Sequence, residues 1–199
     1  MSAPRIREFV NQQVAGEPFT TCEVLHLGTR SVVDRTLSRL VQCGELVRIA
    51  RGVFARPRKS KFVGTVLPSI HKIVEVKAKA LGVKLGLHGA SAAQQFGFTT
   101  QVPMQNIFYI NGYSRKMKVG NVEVEFRRAS EKSLHMAGTV AGAALTALKY
   151  LGKSGVNNEV LQRLQRLLPV EEFQKLRQSV AFMPGWLADR FYQLKANAA

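Results

Sequence analysis

The sequence predicts an α+β fold, and three observations lead to this prediction. The N-terminal third combines helical apolar spacing with two short strand-like runs. Residues 106–128 alternate apolar and polar side chains, which is typical of β-strands. The C-terminal third returns to helical spacing. We therefore expect an N-terminal helical unit with a hairpin, followed by a mixed domain with a small antiparallel β-meander and C-terminal helices.

Composition narrows the class of protein. The chain has 199 residues and a formal net charge of +16, which favours polyanionic partners such as DNA, RNA or an anionic surface. Hydrophobic residues make up 46%, enough for a folded core. No run of about 18 apolar residues occurs and the N-terminus lacks the apolar segment of a signal peptide, so we expect no membrane contact and a cytoplasmic location. Cys22 and Cys43 are too few for a disulfide framework or a metal site of their own.

The first two helices are predicted from their ends. Helix one begins near Pro4 and stops at 16–18, where Gly and Pro break the pattern. Its apolar residues recur at helical spacing: Ile6, Phe9, Val10 and Val14. Thr20 and Glu23 have the spacing of a capping box, with Phe19 placed as a staple residue. This pattern predicts a short second helix.

The third helix begins near Thr29 or Ser31 and ends before Gly44. One face is an apolar stripe made of Val33, Leu37, Leu40 and Val41. The opposite face is polar and contains Arg30, Ser31, Asp34, Arg35, Ser38, Arg39 and Gln42. Two short strands follow, 46–49 and 53–55, joined by Ala50, Arg51 and Gly52. This element order predicts a winged helix-turn-helix over residues 1–58.

A polar third helix of this kind fits the DNA major groove, where its outer side chains reach base edges and phosphates. A basic hairpin next to it contacts the flanking backbone or the minor groove. The predicted DNA-binding residues are Thr29, Arg30, Ser31, Arg35, Ser38, Arg39, Arg48, Arg51, Arg56, Arg58 and Lys59. The alternative is a small helical domain whose basic surface docks a protein.

Residues 62–199 are predicted to form a second, α+β effector domain. Residues 56–61 are basic and carry Pro57, which is typical of a linker, and a helix is expected over 66–81. Residues 85–114 contain no charged side chain. Such a segment indicates either buried core or the centre of a partner-binding or substrate cleft.

The predicted meander begins with a strand at 106–110, and the pair Asn111-Gly112 is a strong hairpin signal. A second turn is expected at Gly120-Asn121. The alternation then places Lys116 and Lys118 across from Glu123 and Glu125, which explains the two acids without catalysis.

Helices are expected over 134–151, after Asn157 or Asn158, and after Pro169 and Pro184. Five basic residues decorate them: Arg163, Arg166, Lys175, Arg177 and Arg190. They form either a second basic face for an acidic partner or ordinary solvated charge.

No catalytic pattern emerges. The histidines His26, His71, His88 and His135 lack the spacing of a zinc site. The sequence has no phosphate loop, no GxSxG elbow and too few acids for a magnesium nuclease. His88 is the strongest candidate, and its place at a helix start favours a structural role. We expect no enzyme activity, no cofactor and no metal.

Two segments carry a family resemblance. Residues 40–55, Leu-Val-Gln-Cys-Gly-Glu-Leu-Val-Arg-Ile-Ala-Arg-Gly-Val-Phe-Ala, resemble the wing of AbiEi-type antitoxins of type IV toxin–antitoxin systems. Residues 88–92 and 99–103 resemble a shorter AbiEi-like group of bacterial proteins. The likeness covers most of the chain.

The resemblance implies a bacterial transcriptional repressor. Its first domain would bind double-stranded DNA at its own promoter, on inverted repeats. Its second domain would neutralise a nucleotidyltransferase-like toxin. The alternatives are an RNA-binding protein, or a protein-interaction module in a phage-defence system without its own toxin.

Overall fold

The structure is a computed structural model that describes residues 2–61, 64–101 and 103–196, with side chains to residue 193. It is an α+β protein, as predicted. The chain divides into two compact units, one made of residues 1–83 and 116–123 and the other of residues 84–115 and 124–199.

The first unit contains helices and short strands in alternation. Its helices are α1 (Ser2–Gln12), α2 (Thr21–Val24), α3 (Arg30–Gln42) and α4 (Ile70–Ala80), with a 3₁₀ turn at Leu25–Leu27. Its strands include β1 (Pro18–Thr20), β2 (Val47–Ala50), β3 (Val53–Ala55), β4 (Arg58–Ser60) and β5 (Gly64–Val66). The expected short second helix is confirmed as α2. The predicted capping role of Glu23 is also confirmed, because its carboxylate accepts a 2.8 Å hydrogen bond from the backbone N–H of Thr20.

Strands β1, β3 and β2 form an antiparallel sheet in that order. Phe19 lies opposite Phe54, and Arg48 also lies opposite Phe54 on the other side of β3. The predicted β2–β3 hairpin is confirmed, and Gly52 at its turn has a φ of +73° that favours glycine. Strand β1 has no counterpart in the sequence prediction, because three residues around a capping box give no strand pattern of their own.

The core of the first unit lies between α1, α3 and this sheet. Its fully buried side chains include Ile6, Val10, Phe19, Val24, Val33, Leu37, Leu40 and Leu46. The predicted stripes of α1 and α3 are therefore confirmed with one exception. Val14, which lies beyond the end of α1, is 68% exposed.

The segment predicted as a linker is instead a strand. Arg58 pairs with Val66 and Ser60 with Gly64, so β4 and β5 form a two-stranded antiparallel sheet. Helix α4 starts at Ile70 rather than at 66, because Val66 belongs to β5 and Pro68 disfavours helix at the residue before it. The first unit extends to Val83, about twenty residues beyond the predicted domain boundary, since Lys72 and Lys77 of α4 bond to Glu17 and to the Arg51 carbonyl.

The remaining strands are β6 (Leu85–Leu87), β7 (Asn106–Ile110), β8 (Arg115–Val119) and β9 (Val122–Arg128). Their order in the sheet is β6-β7-β9-β8. Strand β6 is antiparallel to β7, whereas β7 is parallel to β9. The predicted antiparallel meander is therefore wrong, because β7 and β8 follow each other in the chain but are not neighbours.

The predicted hairpin turn at Asn111-Gly112 is wrong, because the strands next to β7 are β6 and β9 and not β8, which follows the turn. The Asn111 side chain instead accepts a 2.8 Å hydrogen bond from the Lys84 backbone N–H and donates one of 3.0 Å to Glu131. The segment that follows β7 is thus hydrogen-bonded to Lys84, the residue that precedes β6.

The second predicted turn is confirmed. Gly120 has a φ of +57° between β8 and β9. Lys116 binds Glu123 at 2.8 Å, as predicted. Glu125 accepts hydrogen bonds of 2.8 and 3.0 Å from Arg127.

The described residues also form the helices α5 (Gly89–Gln95), α6 (Val140–Gly155), α7 (Asn158–Leu167), α8 (Val170–Gln178) and α9 (Gly185–Ala196). Asn157 caps α7 through a 2.9 Å hydrogen bond, which confirms that prediction. Their core contains Ala93, Leu148, Leu164, Leu176 and Leu187.

The uncharged segment 85–114 is core only in part, because its described residues range from buried to fully exposed. Ala92, Ala93 and Ile110 are fully buried, but Met104 is fully exposed in the loop that precedes β7. Val102, which belongs to the second resemblance segment, lies outside the described residues.

Candidate nucleic-acid interface

Helix α3 separates its side chains into a buried and an exposed face. Val33, Leu37 and Leu40 are fully buried. The exposed residues are Arg30, Ser31, Asp34, Arg35, Ser38, Arg39 and Gln42. Because the apolar side chains recur at three- and four-residue spacing, packing in the core fixes which polar side chains face outwards.

The N-terminal end of α3 lacks a side-chain cap. Thr29 has the extended conformation of an N-cap residue, yet its side chain accepts no hydrogen bond from the helix. Its hydroxyl lies 3.5 Å from that of Ser31, and both residues are exposed. The first N–H groups of a helix have no intrahelical acceptor, so this end can receive an anion such as a phosphate.

One arginine of α3 is already ion-paired. Arg30 Nε donates a 2.8 Å hydrogen bond to Asp34 Oδ2, and both side chains are at least half exposed. This hydrogen bond, and then the charge of Asp34, raise the pKa of the Arg30 guanidinium above its ordinary range. The Arg30 side chain is therefore held in one orientation, and the Asp34 carboxylate compensates its charge.

Arg35 and Arg39 differ from Arg30. Both are exposed, they lie one helical turn apart, and neither has an ion-pair partner among the described residues. Two like charges at this spacing repel each other. They are therefore the cations of α3 with the most to gain from an anionic partner.

The β2–β3 hairpin carries two further exposed arginines. Arg48 projects from β2 and Arg51 lies in the turn. Lys77 of α4 donates a 3.0 Å hydrogen bond to the Arg51 carbonyl, which anchors the turn backbone. Sequence reasoning misses this bond, since nothing in the local pattern links residues 26 positions apart.

The Arg56 side chain, in contrast, makes hydrogen bonds within the fold. Its Nη1 donates hydrogen bonds of 2.8 and 3.0 Å to the carbonyls of Asn11 and Gln13. The Nη1 atom of Arg56 is therefore engaged at the end of α1, and the expected phosphate contact would have to use Nε or Nη2. Arg58 and Lys59 are exposed on β4, and the aliphatic part of Arg58 lies against Gly16.

The histidines and acids form no second kind of site in the part of the chain that the structure describes. It contains no group of three or more His, Cys, Asp or Glu side chains that could hold a metal ion. No helix within it is long and apolar enough to cross a membrane. His88 is the N-cap residue of α5, as its position in the sequence predicts.

Comparison with known proteins places the chain in a family. The model of the DUF6088 family, a family of unknown function, matches residues 5–176. The chain belongs to the DUF6088 family. No curated protein matches this DUF6088 chain in sequence.

Among solved structures, this DUF6088 chain is similar to the RV2827C protein from Mycobacterium tuberculosis. The sequence identity is 14% and the TM-score is 0.46, over 93% of this chain and 78% of the other.

Proposed function

We propose that this DUF6088 protein is a DNA-binding transcriptional repressor whose residues 1–58 act as a winged helix-turn-helix. The observation that carries the proposal is the exposed pair Arg35 and Arg39 on α3. The opposite face of the same helix is buried by Val33, Leu37 and Leu40. The core thus holds α3 rigidly while leaving its cationic side free for a groove of DNA.

The chemistry of recognition follows from these side chains. A major groove admits one α-helix. Arginine is the usual partner of guanine there, because its two N–H donors match the O6 and N7 acceptors. Arg35 and Arg39 are the proposed base readers, and the Thr29 end of α3 is the proposed phosphate contact. Arg48 and Arg51 on the hairpin, with Arg58 and Lys59, contribute charge that does not depend on sequence.

The biological role is inferred from the resemblance to AbiEi-type antitoxins. Residues 40–55 form the β2–β3 hairpin and the end of α3, the segment that carries this resemblance. We propose that the protein represses its own promoter at inverted repeats. We further propose that residues 62–199 neutralise a nucleotidyltransferase-like toxin.

Alanine variants test the assignment of α3. Arg35→Ala and Arg39→Ala are each expected to weaken binding to the cognate duplex by about 1–3 kcal/mol and to relax specificity. Arg51→Ala is expected to weaken cognate and scrambled duplexes alike and to lower the salt slope by about one for each phosphate that is no longer neutralised. Arg166→Ala, an exposed arginine on α7, is the matched control. If the α3 variants and the control bind with equal specificity, α3 is not the recognition helix.

A further inference from the structure

Three aromatic rings meet at the start of α5. His88 caps this helix, and its Nδ1 accepts a 3.4 Å hydrogen bond from the Ala90 backbone N–H. Its ring centroid lies 5.5 Å from that of Tyr109 and 6.3 Å from that of Tyr150. The cap fixes the imidazole, and the two tyrosines are arranged around it.

Gly89 makes this arrangement fit. A Cβ atom at Gly89 would lie 2.7 Å from the Cβ of Tyr150, which no side chain tolerates. With glycine there, the Tyr150 ring lies against the backbone and still leaves 51% of the residue exposed. The backbone of His88-Gly89 thus packs against the half-exposed Tyr150 ring and supports it.

One cation lies beside these rings. Tyr109 is the sheet partner of Arg127, so the two side chains lie on the same face of the sheet. The Arg127 side chain is 44% exposed, although its guanidinium also holds Glu125.

We propose that this aromatic–cationic cluster, formed by His88, Tyr109, Tyr150 and Arg127, binds a nucleobase together with its phosphate. Every nucleobase has a π-face that can stack on an exposed tyrosine ring. The Tyr150 ring is the stacking platform, while the Arg127 guanidinium attracts the phosphate. This ligand chemistry occurs in single-stranded nucleic acid and in free nucleotides, and it is absent from the outer surface of an intact duplex, whose bases are stacked.

The cluster reads no base edge, since its rings and its cation are sequence-tolerant. Binding should therefore depend on ionic strength and little on the identity of the base. Because all four residues belong to the second unit, the proposal does not rest on the DNA-binding function of α3.

The test uses the full chain and a fluorescein-labelled single strand of about twelve nucleotides, as oligo-U and as oligo-dT. All variants carry Arg35→Ala and Arg39→Ala, which removes the proposed duplex site. Tyr150→Ala should weaken binding about 5- to 100-fold by fluorescence anisotropy. Tyr150→Phe should retain binding, because the ring rather than the hydroxyl stacks. Tyr192→Ala removes another exposed tyrosine, 61% exposed on α9, and is the matched control.

Equal affinity of the Tyr150→Ala and Tyr192→Ala proteins would overturn the proposal, as would the absence of saturable binding to either strand. Competition with uridine monophosphate identifies the source of the ligand. Displacement at equal molar concentration indicates a free nucleotide, and displacement only in large excess indicates a single strand.

Cross-linking keeps the test decisive if Tyr150→Ala fails to fold. Unaltered protein is irradiated with an oligo-U strand that contains 4-thiouridine, and the attached peptides are mapped. Cross-links in the segments that contain Tyr109 or Tyr150 support the proposal. Cross-links confined to α3 and the β2–β3 hairpin contradict it.

Discussion

The guanidinium of Arg56 donates a 2.8 Å hydrogen bond to the backbone carbonyl of Asn11. The same Nη1 atom donates a second hydrogen bond, of 3.0 Å, to the carbonyl of Gln13. The last carbonyls of a helix have no intrahelical donor, and a positive charge is favourable at that end. Arg56 therefore joins the residue after β3 to the end of α1 and holds together the unit that carries α3.

Removal of this link should destabilise the first unit. Arg56→Ala is expected to lower the free energy of unfolding by about 1–3 kcal/mol, because two carbonyls lose a charged donor. Urea denaturation followed by circular dichroism measures the change. Arg48→Ala removes an exposed arginine of the hairpin and should alter the free energy of unfolding by less than about 0.5 kcal/mol. Equal stability of the two variants would show that the Arg56 hydrogen bonds contribute nothing.

The Arg30–Asp34 ion pair should limit non-specific binding to DNA. Asp34→Ala releases the Arg30 guanidinium, so affinity for scrambled duplex should rise and the salt slope should steepen by about 0.9 for one added phosphate contact. Titrations at several salt concentrations measure the slope. Glu45→Ala changes the net charge by the same amount but frees no arginine of α3. Should both variants change the slope equally, Asp34 acts only through net charge.

Glu172 should make the stability of the second unit depend on pH. Its carboxylate accepts hydrogen bonds from Lys175 Nζ at 2.6 Å and from the Ala141 backbone N–H at 2.9 Å. The Lys175 bond, and then the Ala141 bond, lower the pKa of Glu172 below its ordinary value of 4.5. A lowered pKa means that the folded state holds this proton less tightly than the unfolded state. Its stabilisation is therefore complete above the ordinary pKa and is lost as the pH falls through the lowered pKa.

Glu172→Gln should accordingly be less stable than the unaltered protein at pH 7, and the gap should close below pH 4.5, the ordinary value for this carboxyl. Urea midpoints measured between neutral pH and about pH 3 test this expectation. Glu171→Gln, a change at the exposed neighbouring acid, is the control. A gap that is constant across the pH range would contradict the assigned hydrogen bonds.

Gly142 allows the close approach of a turn to α6. A Cβ atom at this position would lie 2.0 Å from the Met136 carbonyl oxygen. Gly142→Ala should therefore destabilise the protein by at least about 1–3 kcal/mol through overpacking, against a helix-propensity gain of about 1 kcal/mol. Gly185→Ala, at a helical position with open space around it, is the control. Thermal unfolding of both variants measures the effect, and an equal Tm would refute the steric argument.

The fold of the first unit is largely predictable from local sequence. The buried stripe of α3 and the hairpin turn at Gly52 are encoded by residues close in the chain. Strand β1 is not, because three residues become a strand only through pairing with β3. Residues 58–60 have the composition of a linker. They too form a strand only through pairing, in their case with β5.

Non-local contacts also explain the errors in the second unit and at the site. The Asn111-Gly112 signal is overridden by the hydrogen bonds that the Asn111 side chain accepts from the Lys84 backbone N–H and donates to Glu131. Arg56 resembles the other arginines of the hairpin in sequence, and only the position of α1 reveals its structural role. The Arg30–Asp34 pair is predictable in principle, because arginine and aspartate four residues apart on a helix are neighbours.

We expect α3 to read a specific duplex. Fluorescence anisotropy with purified protein and the DNA upstream of its own gene measures this recognition, at an ionic strength of about 0.15 M and against a scrambled duplex of equal length. We predict that the upstream duplex binds at least about a thousandfold more tightly than the scrambled one. Equal affinity for the two duplexes would contradict this expectation and would leave only the attraction of a positively charged protein for polyanions.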